Sequence, residues 1–333
     1  MRILLTGGTG YIGSHTAITL SSAGHEVVLL DNLCNSQIDV VARIEKILGK
    51  KIVFYQADVR DTDALIAILQ TEKIDAVIHL AGLKAVGESW QKPIDYYACN
   101  VGGSISLASA MKVAGVRILV FSSSATVYGD PKYLPYDEEH PTSPTNPYGR
   151  NKLQVEQLLH DLANSSDEWC ITCLRYFNPV GAHESGLIGE NPNGIPNNLM
   201  PVVAQVATGR LPLLNIYGND YETIDGTGMR DYIHVMDLAE GHLTAIEWIA
   251  KNNGCHYFNL GSGTSHSVLE LVSEFEKASG KTIPRKVISR REGDLPNYYA
   301  QADKALRLLH WKTSRNLSDM CESTWRWEQQ RLA

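Results

Sequence analysis

No run of apolar residues in this sequence approaches the ~18 that a membrane span requires. The N-terminal MRILLTGG carries too short an apolar stretch for a secretory signal, so the expected location is the cytoplasm. Basic residues are the minority: 30 Lys and Arg stand against 37 Asp and Glu, a formal net charge of −7. A nucleic-acid surface needs clustered Lys and Arg, so no nucleic-acid partner is expected, and only a local basic pocket for a small phosphate compound remains open. The 11 histidines fall into no HExxH or paired-ligand spacing, and no metal site is expected. Cysteine is sparse and scattered, at Cys34, Cys99, Cys170, Cys173, Cys255 and Cys321. The one CxxC spacing lies in CITCLRYF, an apolar, β-branched run with strand character, whose two thiols should point to opposite faces. A redox or zinc pair wants a turn or helix start and, for zinc, a second ligand pair. There is no internal repeat, low-complexity tract or coiled coil.

What is present suits a globular protein with a substantial core: 44% hydrophobic and 20% charged residues in 333, enough for two domains. The first half alternates short apolar runs (2–6, 26–30, 51–56, 76–80, 117–121) with helical patterns such as 12–23 and 61–71. Near-continuous apolar strands separated by helices predict a parallel sheet covered on both faces, an α/β fold. After about Asn178 the chain becomes rich in Gly, Pro and Asn, with helical patterns at 236–250 and 268–278. This reads as a smaller, loop-rich second domain.

TGGTGYIGSH follows the first strand and precedes a helical pattern. Gly7, Gly10 and Gly13 fit G-x-x-G-x-x-G, and Gly8, Gly10 and Gly13 fit G-x-G-x-x-G. Such glycines permit a tight turn and close approach of the backbone to a pyrophosphate, which then sits at a helix N-terminus. The next strand ends in Asp31, about 20 residues beyond the loop, where a carboxylate accepts hydrogen bonds from ribose hydroxyls and repels a 2′-phosphate. A plain glycine turn beside a surface Asp is the alternative. The strand–loop–helix context favours a dinucleotide, and the Asp favours NAD over NADP.

NPYGRNKLQVEQLLHD places Tyr148 four residues before Lys152. Pro147 suits the first helical position and Asn146 the N-cap, and Tyr148, Lys152, Val155, Leu159 and Leu162 share one helical face. A second YxxxK, Tyr128 with Lys132, is interrupted by Gly129 and Pro131. A lysine on a buried face can simply snorkel. Downstream of a dinucleotide loop it suggests instead a cation that, together with the nicotinamide, lowers the tyrosine's pKa toward neutrality for general-base work. The run RILVF ends in Ser122, Ser123 and Ser124, any of which suits a hydroxyl-holding role at the carboxyl end of a strand.

At this point the chain resembles the extended short-chain dehydrogenase/reductases, and among them the UDP-glucose 4-epimerase family. The resemblance runs over nearly the whole chain, through TGGTGYIGSH, DNLCNS, AGLKAVGES, SSSATVYGD, PYGRNK, LRYFNPVGAH, IPNNLMP, DGTGMRDYIHVMDLA and RREGDLP, in order. It implies a Rossmann-type doubly wound sheet over residues 1–177 that binds NAD. A loop-rich α/β region over 178–333 would bind the UDP-sugar, with part of 232–260 packing back on the first domain. It implies that Ser124 holds the sugar 4-hydroxyl, that Tyr148 is the base and that Lys152 binds the nicotinamide ribose and tunes Tyr148. The cofactor contacts it implies are Gly7, Gly10, Tyr11, Ile12 and Gly13; Asp31, Asn32, Leu33, Cys34, Asn35 and Ser36; Asp58 and Val59; Leu80, Ala81, Gly82, Leu83 and Lys84; Cys99; and Phe177. For the UDP-sugar it implies Asn178, Asn198, Leu199, Asn215, Ile216, Tyr217, Arg230, Arg291, Glu292, Gly293, Asp294 and Tyr298. Leu80 stands where the family often has Phe, and Cys99 where an Asn is common, with Asn100 next.

The family's reaction moves hydride from sugar C4 to NAD⁺ as the base takes the 4-hydroxyl proton. The 4-keto sugar then turns, and hydride returns to its other face. Tightly held NAD and a homodimer are implied too. Bulky Tyr298 implies poor acceptance of UDP-N-acetyl sugars. A sugar-nucleotide 4,6-dehydratase needs a further acid and base, usually Asp-Glu after the strand-exit hydroxyl, and Ala125 and Thr126 cannot titrate. A non-catalytic NAD sensor should have lost Tyr148, Lys152 or the serine, and all are present.

Overall fold

The structure is a computed structural model that describes residues 1–192, 196, 198–291 and 293–332. Strands β1 (Arg2–Thr6), β2 (Glu26–Asp31), β3 (Val53–Gln56), β4 (Ala76–His79), β5 (Ile118–Ser124) and β6 (Cys170–Tyr176) are followed by β7 (Asn178–Val180), β8 (Leu214–Tyr217) and β9 (Met229–His234). After these come β10 (Gly254–Leu260), β11 (Ser265–Ser267), β12 (Arg285–Ile288) and β13 (Asn297–Tyr298). Seven strands form one parallel sheet in the order β10-β6-β5-β4-β1-β2-β3. The order reverses between β1 and β4, which opens a crevice at their carboxyl ends, where doubly wound sheets bind ligands.

Each face of the sheet packs against helices. Ile3, Leu5, Leu29 and Ile78 face the helices Tyr11–Ser22 and Val235–Ile249. Leu4, Val28, Val77, Leu119 and Phe121 face the helices Thr62–Thr71, Gly103–Ala114 and Pro147–Asn164. This two-sided burial is why the strands read as unbroken apolar runs. The two cysteines of CITC divide as their odd spacing requires: Cys170 packs against the first cluster and Cys173 lies inside the second.

Local signals set the helix ends. Asp61 accepts a 3.0 Å bond from the Ala64 N–H to start Thr62–Thr71. A capping box of Ser267 and Glu270 starts Val268–Ser279, which Gly280 ends at φ 64°.

The chain after β6 builds a separate core from Val180, Met200, Val203, Leu214, Ile216, Leu271 and Phe275. Around it lie a sheet of β11-β9-β13, with β7 beside β9, and the pair β12-β8. The helices Leu199–Ala207, Asp303–Leu309 and Leu317–Leu332 add to the helical patterns read from the sequence, and β10 returns to the edge of the main sheet. Among the described residues, no helix is long and apolar enough to cross a membrane, and no group of three or more His, Cys, Asp or Glu is placed to hold a metal.

Candidate active site

The glycine loop leaves β1 into the crevice. Gly7 has φ of +70°, and a Cβ there would stand 2.8 Å from the Ala81 nitrogen; a Cβ on Gly13 would stand 2.1 Å from the Gly7 carbonyl oxygen. The loop is therefore bare backbone pressed between the β4 exit and the start of the helix Tyr11–Ser22. Gly10 caps that helix, and no side chain bonds to its cap position, so its first N–H groups and partial positive charge are left for an anion. Asp31, buried at the end of β2, accepts from Leu33 N (2.9 Å), Thr9 N (3.2 Å) and Ser36 Oγ (3.0 Å). These bonds shape the turn 31–36, with Leu33 in the left-handed region at φ 61°. Asn32 donates to Asp58 (2.9 Å), whose carboxyl the paired Arg60 guanidinium holds well below the usual range. A side-chain-free cradle at a helix N-terminus, edged by a carboxylate, fits a dinucleotide with an unphosphorylated ribose. Val59 differs from its neighbours, since its side chain lies in the core and it offers only backbone.

Leu80 to Lys84 close the other wall. The segment is held by Asn100, which accepts from Leu83 N (2.8 Å) and donates to Leu83 O (3.0 Å) from a π-helical turn, Tyr97–Gly102. Cys99 shares that turn, its thiol pushed up by burial. Asn100 had gone unassigned in the sequence, because a π turn has no spacing signature; its place beside Cys99 was the only hint. Thr9, which donates to Asp31, and Asn151, which accepts from the Asn100 amide at 3.5 Å, carry no sequence signal either. Lys84 pairs with Glu190 (2.9 Å), which also accepts from Asn198 (3.0 Å), while the Tyr11 hydroxyl donates to the Gly181 carbonyl (2.7 Å). Glu190, which no motif singled out, thus joins the two halves of the chain.

Ser124, Tyr148 and Lys152 converge at the carboxyl end of β5. As the sequence indicates, the helix Pro147–Asn164 has Pro at its first position and Asn146 as cap, accepting from Gly149 N at 2.8 Å. Lys152 is 5% exposed, so its ammonium does not snorkel; it donates to the Ser122 carbonyl at 2.5 Å and lies 5.8 Å from the centre of the Tyr148 ring. Burial lowers its pKa to about 8. Tyr148 leaves part of its surface open, yet its hydroxyl is deep, and burial pushes it up to about 12, with the Ser124 side chain pulling the other way. Burial penalises the charged forms of both groups and so opposes the acidifying effect expected of Lys152 together with the nicotinamide. Of the three serines, Ser124 is the one beside Tyr148; it also accepts from the Thr126 N–H and hydroxyl (3.2 and 3.0 Å). The rejected pair separates as foreseen: Tyr128 is fully buried and donates to Asn259 (2.6 Å).

The residues expected at the sugar nucleotide form two groups. Tyr298 donates to Asn178 (3.2 Å), lies 6.2 Å from the Phe177 ring, and carries the Arg230 guanidinium 4.8 Å above it. Arg230 also faces Asp294 (3.6 Å) and donates to the Met229 and Leu295 carbonyls, at 2.8 Å each. Arg291 stacks 3.7 Å over Tyr217, next to exposed Asn215. Ile216 departs from the expectation at the side-chain level: it is a core residue, 2% exposed, in the β8–β12 pair, so only its backbone faces outward. Gly293 is exposed with φ of +80°, Leu199 opens the helix Leu199–Ala207, and Glu292 lies outside the described residues.

A bare-backbone dinucleotide crevice beside a Ser–Tyr–Lys constellation defines a short-chain dehydrogenase/reductase type of site. The chain belongs to the NAD dependent epimerase/dehydratase family, whose model matches residues 3–261. It is 56% identical to a UDP-glucose 4-epimerase of Neisseria meningitidis serogroup C over 98% of this chain and 96% of that one. It is 53% identical to a UDP-glucose 4-epimerase of Bacillus subtilis, over 98% and 97%. Among solved structures, it is similar to the UDP-glucose-4-epimerase of Stenotrophomonas maltophila with bound NAD and formylated UDP-arabinopyranose. That match has TM-score 0.97 and 51% identity and covers all of both chains. The Bifidobacterium longum UDP-glucose 4-epimerase in complex with NAD⁺ and UDP matches with TM-score 0.96 and 49% identity, over 100% of this chain and 99% of that one.

Proposed function

We propose that this protein is a UDP-glucose 4-epimerase, interconverting UDP-galactose and UDP-glucose by way of a 4-keto sugar. The observation that carries the reading is the convergence of Ser124, Tyr148 and Lys152 beside the glycine cradle, in a chain so similar along its length to relatives of that name. Gly7, Gly10, Gly13, Asp31 and the 80–84 wall would hold NAD, and Lys152 its nicotinamide ribose; bound there, NAD would supply the acceptor and donor for the hydrogen at sugar C4.

Tyr148 takes the 4-hydroxyl proton, and Ser124 holds that oxygen in place. Lys152, an ammonium below about 8, sets a positive charge one helical turn away. Bringing a phenol from about 12 to near neutrality takes about 7 kcal/mol, to which the Lys152 charge and the cationic nicotinamide of bound NAD would both contribute. Arg230 and Arg291 bind the diphosphate, since guanidinium presents paired donors to phosphate oxygens. Asn178, Asn198 and Asn215 complete the anchorage. With UDP fixed, the keto sugar turns, C4 regains its hydrogen on the opposite face, and Tyr148 returns the proton to the 4-oxygen.

Residues 1–177 form the cofactor domain and 178–333 the sugar-nucleotide domain, with part of 232–260, the helix Val235–Ile249 and β10, packing back on the first. The expected location is the cytoplasm and the expected state a homodimer, the latter supported by Trp90 and Ile94, 58% and 82% exposed on neighbouring short helices. The test is purified protein mixed with UDP-galactose and no added cofactor. UDP-glucose is expected, whereas a deoxy-keto sugar would mean dehydration and no product would mean a binding protein.

A further inference from the structure

Behind the site lies a charge pair that the reaction does not use directly. Glu156 is 1% exposed and Arg175 is 5% exposed. The Glu156 carboxylate accepts from the Arg175 Nε (3.0 Å) and Nη2 (2.8 Å) and from the Ser123 hydroxyl (2.5 Å). Ser123 on β5 and Arg175 on β6 are register partners, and Asn259 on β10 is the next partner of Arg175. Arg175 also donates to the Tyr128 hydroxyl (3.1 Å), which donates to Asn259 (2.6 Å), and its guanidinium lies over the Tyr128 and Tyr257 rings, 4.9 and 4.8 Å from their centres. One polar layer thus crosses three strands, immediately beneath Ser124.

Glu156 is also one helical turn beyond Lys152, as Lys152 is beyond Tyr148. The helix is pinned to the β5 exit at two successive turns, Lys152 to the Ser122 carbonyl and Glu156 to the Ser123 hydroxyl. Buried ion pairs contribute little net stability, and apolar residues of similar volume often do as well or better. A buried pair that costs this much desolvation is best accounted for by register, which directional bonds fix and apolar packing does not.

We propose that Glu156, held by Arg175, is a positioning residue that sets the register of Tyr148 and Lys152 against Ser124. This rests on the reading that those three residues carry the reaction. Glu156→Gln keeps the volume but replaces one acceptor oxygen by an amide N–H facing other donors, so the helix shifts by a fraction of an ångström. Displacements of about 1 Å cost roughly 100-fold in rate, so a loss of at least ~10-fold in kcat is expected, with KM for UDP-galactose and bound cofactor near wild type.

The second variant, Glu156→Met with Arg175→Met, removes both charges together. It is expected to match or exceed the wild-type Tm while kcat stays low. Wild-type kcat in Glu156→Gln would overturn the proposal. So would a double variant that regains Tm and kcat together, because the pair would then be merely structural. A wild-type protein without epimerase activity would sink the functional reading and this proposal with it, whereas an active wild type beside an equally active Glu156→Gln sinks the proposal alone.

Discussion

Replacing Lys152 by methionine separates what the residue does for the reaction from what it does to the fold. Burial holds the folded-state pKa at about 8, against 10.5 for a solvated lysine. Below about 8 both states keep the proton, and the fold bears the full cost of a buried ammonium. Between about 8 and 10.5 the unfolded chain binds one proton more than the folded chain, so stability rises with pH, and above 10.5 the gain is complete. At about 1.4 kcal/mol per pH unit, the rise is about 3 kcal/mol. Methionine cannot titrate, so Lys152→Met lacks this rise.

At neutral pH the variant escapes the same ~3 kcal/mol but leaves the Ser122 carbonyl without its ammonium, a loss of about 2 kcal/mol. The net expectation is a variant more stable by about 1 kcal/mol and nearly inactive, a site that trades stability for function. Urea unfolding of both proteins, at neutral pH and again above the solvated-lysine value, reads the difference directly. The wild type should gain on the variant by about 3 kcal/mol across that range. A flat difference, or one moving the other way, would refute the claim that Lys152 is a strained buried cation.

Tyr148→Phe removes the base without opening a cavity, so bound NAD should be retained while kcat falls roughly 100- to 10,000-fold; near-normal turnover would remove Tyr148 from its role. Wild-type protein should turn over UDP-galactose well and UDP-N-acetylglucosamine poorly. Tyr298→Ser should raise kcat/KM for the N-acetyl sugar by ~10-fold or more, measured by steady-state kinetics with both substrates. An unchanged ratio of the two would show that Tyr298 does not set sugar size.

The parallel sheet was legible because β1, β2, β4 and β5 are buried on both faces, so that their central residues are apolar without alternation. The helix carrying Tyr148 was legible down to its cap, since Asn146 and Pro147 act locally. The glycine loop was legible for the same reason: Gly13 admits no side chain whatever the rest of the chain does. Contacts that form only between distant segments were not legible. Glu190 meets Lys84 and Asn198 across the fold, and Asn100 meets Leu83 through a π turn, with no periodicity to announce either. The depth of Tyr148 and Lys152 was not legible either, because spacing shows a lysine nearby but not how far burial penalises the charge on both groups. Strand β10 is separated from β6 by much of the second core, so adjacency in sequence said nothing of its place, and its return to the first domain was expected only through the resemblance.

The most direct test of the account is the fate of the hydrogen at C4. UDP-galactose carrying deuterium at that carbon should be incubated with the protein in ordinary water and the UDP-glucose formed analysed by mass spectrometry and NMR. The account predicts that the deuterium stays at C4 with the configuration inverted, because the hydrogen leaves and returns within one closed site. Deuterium lost to solvent, with protium at C4 of the product, would contradict it.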